Sequence, residues 1–566
     1  MNARAAARMR RAPRKADRMR LRPLVWFLLG YGVVLLVACL LLHRAVALRP
    51  TPHGEVLASL WQEGQLVQRL VRAAPGVRDD RMERAPAQGA GEWVLETVVQ
   101  EGAVLRVPQL AFALALVPAR DGLRATLDGK TVYVTPDDLL ARHVYDHGFR
   151  VASLSVSVGA DIAQIVTLLS ERLAAPAQDV MTRATLRRLR IVRTPDGHPR
   201  VTGETLSVDQ VRAGMLDAAR YLARNLERDG RFRYRVDPVT DRSLPGYNWP
   251  RHAGATFFLA QAAAATHDPS LRQAALGGAA LLRGPAMGTC GGVPCVGDEP
   301  VVALGSSALA LIAFTEVVRS HLDESYRTPV VELSRFLRGQ QRPDGAFMHY
   351  YDRRESHPID RQGLYYSSEA TLALARAYPI THDPADLDAA VRGLQHLVGP
   401  AWHFFGNRYY FGEEHWTCQA MAALWPHAPN PQALDFCLRW HAYSRAMQQR
   451  AGDSSFDSDG ALGVSPVVTP RLTPVASRCE AAVATLDIAR RVGVAPKELE
   501  ALEGQLRRAL ALLLRQQFRP GPRHLFKHPD AVFGAMPGSE VDWDLRIDYV
   551  QHAGSAMVRW LEVQGQ

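Results

Sequence analysis

Cysteine is scarce in this chain, six in 566 residues, which excludes a small scaffold built on disulfides. Long apolar runs are scarcer still. One stretch, Leu24 to Leu42, runs 19 residues without a charge, and no second one is long enough to bring the chain back across a membrane. A surplus of one charge sign is missing from most of the chain. The formal net charge is +10, but nine of the first 22 residues are Lys or Arg, against Asp17 alone. That arm therefore supplies eight of the ten charges, and the near-neutral remainder argues against a nucleic-acid partner.

What the arm and the apolar run do predict is topology. As a helix, residues 24–42 would rise about 28 Å, enough to span the hydrocarbon core of a bilayer. The basic arm at 1–23 places the N-terminus in the cytoplasm. The expectation is a single-pass signal anchor in the inner membrane, a tether at 43–54, and the bulk of the chain in the periplasm. The alternative is a lipoprotein, since Leu36-Val-Ala-Cys39 fits a lipobox, although apolar Leu residues rather than a polar tether follow Cys39.

Length and a hydrophobic content of 47% leave room for two or three domains with a large core. Residues 55–205 read as a small α/β domain. Glu55–Arg72 has an amphipathic, helical pattern. Trp93–Val99, Phe112–Val117, Leu123–Leu127, Thr131–Val134 and Leu189–Thr194 read as strands, with Asp128-Gly129 a hairpin turn. Pro136–His143 and Asp161–Leu173 read as helices. No carboxylates, His or Cys in this domain assemble into a site from sequence alone.

Residues 206–566 carry a repeat. Six times a long helix is followed by a loop rich in Gly, Asp and aromatics, then by an Ala- and Leu-rich helix. The Ala-rich helices begin near His252-Ala-Gly-Ala, Gly305-Ser-Ser-Ala, Ser367-Ser-Glu-Ala, Trp416-Thr-Cys-Gln, Arg478-Cys-Glu-Ala and His552-Ala-Gly-Ser. Aligned, they make Gly254, Ser307, Glu369, Cys418, Glu480 and Gly554 equivalent. A period of this size is an architectural signal. Six hairpins are the number that closes an (α/α)6 toroid, with the small-residue helices inside and their N-termini at one mouth. The predicted fold class is therefore mainly α: one transmembrane helix, the α/β domain and the toroid.

Gln341-Arg-Pro-Asp-Gly345-Ala-Phe347 resembles the Gln…Gly-x-Trp/Phe loop of terpene cyclases and their α/α relatives, where it clamps hairpins together. The aspartate-rich motifs of those cyclases are missing from the toroid. Lanthionine cyclases share the ring and bind zinc through two Cys and a His, but their Cys-His-Gly motif is missing too. Asp548-Tyr-Val-Gln-His552 and Tyr365-Tyr-Ser-Ser-Glu-Ala resemble text in the helical domain of glucuronyl C5-epimerases, the first with spacing different by one residue. The resemblance covers roughly the last 350 residues and implies the six-hairpin ring; many such proteins act on carbohydrate chains.

The residues expected at the mouth follow from the repeat. Glu369 and Glu480 occupy the same repeat position, and two carboxylates across a pocket suit acid/base work on a sugar. Glu414 precedes the fourth inner helix and is a third candidate. His252 and His552 open the first and last inner helices, neighbours once the ring closes, and would assist proton transfer. The expected substrate-binding residues are Tyr247, Asn248, Arg251, Tyr365, Tyr366, His415, Arg478 and Asp548, with Arg251 and Arg478 holding an acidic sugar. Aromatics in the loops, Trp402, Phe404, Tyr409 and Tyr410 among them, offer stacking faces or fill gaps between hairpins. Carboxylates and Ser residues there also cap helices, which is their alternative role.

The remaining cysteines leave alternatives open. Cys290 and Cys295 share a Gly-rich loop and read as a local disulfide. Cys418 and Cys479 open adjacent helices, so they form a disulfide, stay as buried thiols, or with His552 bind zinc; Cys437 reads as core. No cofactor is expected, with zinc the one alternative. The sequence thus points to a membrane-anchored toroid that binds and modifies a polysaccharide by hydrolysis, elimination or epimerisation. The alternatives are a non-catalytic glycan- or protein-binding module and a zinc-dependent toroid enzyme.

Overall fold

The structure is a computed structural model. It describes residues 47–565, less 52–53, 74–90, 107–108, 146–148, 151–156, 194–199, 405–406, 409–414, 453–456, 463–468 and 520–522. The basic arm and the expected span at 24–42 lie outside the described residues. Among those described, no helix is long and apolar enough to cross a membrane.

The N-terminal region is built on an antiparallel sheet of seven strands: β1 (Arg49–Pro50), β2 (Glu55–Gln62), β3 (Gln65–Ala73), β4 (Glu92–Ala103), β5 (Asp121–Leu127), β6 (Lys130–Val134) and β7 (Thr185–Arg193). The order is β3-β2-β4-β7-β5-β6, with β1 paired to β4. Two expectations fail here. Glu55–Arg72 is not a helix but the β2–β3 hairpin, turned at Glu63 and Gly64, which both take positive φ. The turn's left-handed backbone and the β-branched and aromatic residues beside it outweigh the helical spacing. Phe112–Val117 is not a strand; Gln109–Ala115 is a helix. Its alternating Ala and Leu mimic a strand pattern, but both are strong helix formers. The hairpin at Asp128-Gly129 forms as expected, as do helices Pro136–Ala141 and Ile162–Leu173, the latter capped by Asp161.

Folding also gathers carboxylates that are scattered in the sequence. Glu96, Asp137 and Asp138 are all buried. Arg69 and Arg172 hold Asp138, while Arg193 and His524 hold Asp137. His524 belongs to the C-terminal region, so this cluster ties the sheet to the ring. A second tie is His143 to Asp237 at 3.0 Å.

From Val208 onward the chain forms helical hairpins. Outer helices α1 (Val208–Arg224), α3 (Pro269–Arg283), α5 (Arg327–Gly339), α7 (Pro384–Val398), α9 (Pro431–Ala446) and α11 (Pro496–Gln516) alternate with inner ones. These are α2 (Trp249–Thr266), α4 (Leu304–Arg319), α6 (Tyr366–Thr381), α8 (His415–Leu424), α10 (Leu472–Arg491) and α12 (Ile547–Val563). Each inner helix packs on the next, and α12 packs on α2, closing the ring. The reason is composition. The inner helices are buried on nearly every face, α4 from Leu304 to Val318 without interruption. Outer helices are amphipathic and start at polar caps such as Ser207, Asp268 and Asp383. At the closing seam a Cβ on Gly554 would strike the Phe258 ring and one on Gly254 would meet Gln551, so these two glycines set the approach of α2 and α12.

The loop at Gln341 clamps as its resemblance implies. Gln341 Nε2 donates to Ala389 O on α7 at 2.8 Å, and Arg392 donates to Gln341 Oε1 at 2.6 Å. Gly345 has φ +90°, and a Cβ there would sit 2.5 Å from Arg392 O. The device recurs. Gln448 donates to Gln505 O and Gly460 O, and Gln517 to Gly214 O and Gly534 O. Only the first copy was evident from the sequence.

Candidate active site

The first turns of α6, α8, α10 and α12 open at one end of the ring. Between them lies a cavity of about 350 Å³. Glu369, His415, Trp416, His552, Arg251 and Asp548 line it, joined by Tyr366, Arg471, Arg546 and Tyr549.

Glu369 stands in the first turn of α6, 5% exposed. Gly305 on α4 makes room for it, since a Cβ there would collide with Glu369 Oε2 and the Tyr366 ring. Among the described residues Oε2 has no hydrogen-bond partner. Burial pushes the carboxyl up to about 8, against the opposing charges of His552 and Arg251, so it is protonated at neutral pH. The same burial, with Glu369 next in weight, raises the Tyr366 phenol.

His552 stands on α12, with Nδ1 2.7 Å from Glu480 Oε2. Its ring lies 5.4 Å from that of His415 at 80°, and 5.8 Å from that of Trp416. Glu480 is buried on α10 and also accepts from Gln551 Nε2 at 3.4 Å. Burial raises its pKa while His552 opposes the rise. The Nδ1–Glu480 hydrogen bond fixes the orientation of this imidazole at the cavity wall. Asp548 contrasts with both glutamates. Burial acts to raise it, but hydrogen bonds and charge from Arg546, at 2.6 and 2.9 Å, and from Arg251 at 3.1 Å outweigh that and keep it ionised.

The expected residues divide. Glu369, His552, His415, Asn248, Arg251, Tyr365, Tyr366 and Asp548 all line the cavity. Glu480 does not; it lies behind His552 rather than across the pocket from Glu369. His252 also misses the mouth. It is fully buried between α2 and α3, with Nδ1 on Tyr247 Oη at 2.7 Å and Nε2 on Gly278 O at 3.0 Å. Tyr247 goes with it, packed among Tyr234, Trp249 and His252. Arg478 donates to Pro474 O, one turn back on its own helix, and its guanidinium stands 6.0 Å from the Trp440 ring, away from the cavity. Glu414 lies outside the described residues, as do Tyr409, Tyr410 and the side chains of Trp402 and Phe404.

Arg471, Arg546 and Tyr549 are the cationic and aromatic wall that sequence reasoning did not assign to the site. Arg471 donates to Tyr549 Oη at 2.8 Å, and Arg546 stacks 4.4 Å from the Tyr549 ring. The available signal was Arg546 two residues before Asp548, at the start of the last inner helix.

The cysteines pair as Cys290–Cys295 and Cys418–Cys437. Cys437 is therefore not a simple core thiol, and Cys418 is withdrawn from the Cys418–Cys479–His552 zinc alternative; Cys479 is free and buried. Helix α9 packs behind α8 and brings Cys437 to Cys418, a contact that the repeat spacing does not reveal. Another set of donors does converge. Ligand atoms of His415, Glu480 and His552 lie within 4.8 Å of one another, two imidazoles and a carboxylate of the kind that holds zinc.

No family model matches the sequence, and no curated protein does. Solved structures do match. Cellobiose 2-epimerase from Bacillus thermoamylovorans B4167 aligns with a TM-score of 0.50 over 63% of this chain and 98% of its own, at 9% identity. The chain folds as an (α/α)6 toroid. A D-mannose isomerase aligns at 0.49 over 62% of this chain and 97% of its own, at 13% identity. An unsaturated glucuronyl hydrolase specific for heparin gives 0.44 over 64% and 99%, at 12%. At these identities the likeness is one of fold.

Proposed function

We propose that the toroid is a carbohydrate-active enzyme whose mouth binds an acidic saccharide and moves a proton at the carbon beside its carboxylate, inverting that carbon. The observation that carries this reading is that one cavity is lined both by Glu369, a buried carboxyl whose Oε2 has no partner among the described residues, and by His552, an imidazole held at Nδ1 by Glu480. Such a pair supplies one group that takes a proton and another that returns one. The His552 imidazole accepts the proton from carbon, and the Nδ1–Glu480 hydrogen bond stabilises the imidazolium that forms. Negative charge then develops on the substrate carboxylate, where Arg251 and Arg546 lie close. Glu369 returns a proton to the carbon, and Tyr366 and Trp416 offer faces for the sugar ring. Hydrolysis by paired carboxylates fits less well, because Asp548 is tied to two guanidiniums and Glu480 stands behind His552. The fold is compatible with this chemistry, since the toroid that aligns at 0.50 is named a cellobiose 2-epimerase.

The test is turnover of uronate-bearing oligosaccharides in D2O. Inversion places one solvent deuterium on the inverted carbon per turnover. Elimination instead gives an unsaturated, ultraviolet-absorbing product, and hydrolysis gives new reducing ends with no carbon-bound deuterium. Glycan binding without any of these products would make the toroid a binding module. A second reading is favoured by the convergence of His415, Glu480 and His552, which would hold a divalent cation in place of the proton acceptor. Stoichiometric zinc in the purified protein, with activity lost to chelator and restored by metal, would select it. We place the site outside the cytoplasm, on the basic arm and apolar run at 1–42 and on two disulfides suited to an oxidising compartment. Protease accessibility in spheroplasts tests that placement.

A further inference from the structure

The inner helices carry a second set of polar residues, two turns below the first. Glu369 and Arg376, Glu480 and Asp487, His552 and Arg559 are each seven residues apart. Seven residues bring a helix back to nearly the same face about 10 Å along its axis. At that depth a separate cavity of about 210 Å³ opens at the opposite end of the ring. Glu316, Arg319, Arg376, Gln419, Asp487 and Arg559 line it.

Its charges do not balance within the fold. Glu316 is 1% exposed and is held by Arg319 at 2.6 and 3.2 Å and by Ser320 at 3.0 Å. Arg376, its side chain 17% exposed, has among the described residues only a long contact at 3.4 Å to that same carboxylate, and its guanidinium stands 4.8 Å from the Phe257 ring. One buried carboxylate thus serves two guanidiniums. Asp487 is spent on Arg491, at 2.8 and 3.0 Å, while Arg559 pairs with Glu562 at 2.7 Å. Burial pulls Arg376 down to about 10, against the opposing charges of Glu316 and Glu562. A second, independent group points the same way. Gln419, one turn below His415 on α8, is 7% exposed, lines the cavity, and its Nε2 donor has no partner among the described residues. Leaving a buried donor without an acceptor is unfavourable, since it gives up its hydrogen bond to water for nothing.

We infer that this far cavity is a binding site for a small oxyanion, held by the Arg376 guanidinium and the Gln419 amide. The chemistry is that of phosphate, sulfate or a carboxylate: acceptor oxygens for a fixed donor fork and a neutral amide. The site is separate from the mouth and does not depend on the reaction proposed there.

Calorimetric titration of the full chain with inorganic phosphate, at ionic strength held constant with chloride, tests it. A parallel titration with acetate distinguishes a phosphate-type ligand from a carboxylate. Saturable binding of one anion per chain is expected, weakened at least about tenfold in Gln419→Leu, the loss of one hydrogen bond to a charged group. Arg376→Gln should abolish it, and Arg546→Gln, at the mouth, should leave it unchanged. Where Arg376→Gln fails to fold, Gln419→Leu decides alone. Absence of saturable binding of either anion, or equal affinity in Gln419→Leu and wild type, overturns the inference.

Discussion

His252 and His552 stand in the same His-Ala-Gly text, each on the first turns of its inner helix, on two helices that touch. Their surroundings have nothing in common. His252 has both ring nitrogens committed, to a phenol and a backbone carbonyl, and burial drives it down to about 4, so it stays neutral across the physiological range. His552 has a carboxylate on one nitrogen and a cavity beside the ring. Equivalent positions in the repeat do not share a direction. A side chain turned outward meets the outer helix and is sealed; one turned toward the axis meets the cavity. In a toroid the direction a residue faces decides chemistry, and the tripeptide does not encode it.

Substitution at the two histidines is the sharpest way to break that contrast. His552→Gln should lower kcat by about 10²–10⁴, the usual worth of a positioned general base, with melting temperature little changed. His252→Gln should do the reverse, costing about 1–3 kcal/mol of stability through its lost hydrogen bonds while kcat stays within a few-fold. A stable His252→Gln protein without activity would overturn the assignment.

Glu369→Gln comes next, with an expected loss of about a hundredfold in kcat and retained saccharide binding. It has a signature in stability as well. The wild-type carboxyl keeps its proton up to about pH 8 when folded, against 4.5 ordinarily. Between those values the folded chain binds the extra proton. This stabilisation is complete below pH 4.5, declines as pH rises, and is gone above about 8, a change on the order of a few kcal/mol. Glu369→Gln should flatten that slope in denaturant titrations between pH 5 and 8. Activity that needs the protonated acid should fall above about pH 8 in wild type.

A smaller effect is expected at the rim. Arg251→Gln should raise KM for an acidic oligosaccharide by about tenfold, with kcat little changed, because Asp548 keeps Arg546 as its partner. A neutral oligosaccharide should show no such shift.

Much of this architecture was legible in the sequence, and the reasons are specific. The six Ala-rich helices read correctly because small residues on every face leave a helix only the inside of a ring. Glu369 reaches the cavity, as its place in the repeat implied, because it stands in the first turn of an inner helix. Glu480 did not, because α10 starts at Leu472, so the same repeat position falls well into the helix, behind the imidazole of its neighbour. Cys418 pairs with Cys437 on the outer helix behind it rather than with Cys479, and Arg471 and Arg546 reach the cavity from just outside their helices. Lateral neighbours and helix edges are set by packing, which a linear repeat does not specify. In the N-terminal sheet the failure was local: the Glu63-Gly64 turn outweighed eight residues of helical spacing on either side.

The smallest expected effect concerns the clamps, which separate architecture from chemistry in a second way. Gln341, Gln448 and Gln517 each follow an outer helix and donate to carbonyls of the adjoining hairpin, and none lines the cavity. Gln341→Ala removes the 2.8 Å bond to Ala389 O and leaves Arg392 without its amide acceptor, so it should cost about 1–3 kcal/mol. Below the unfolding transition kcat and KM should be unchanged, since nothing at Gln341 touches the mouth. If instead KM moved with no loss of stability, the loop would belong to the binding surface and the ring would be less rigid than its packing implies. Gln341→Glu sharpens the point: it keeps the side chain's length and an acceptor for Arg392 but loses the donor to Ala389 O, so only part of the stability should return.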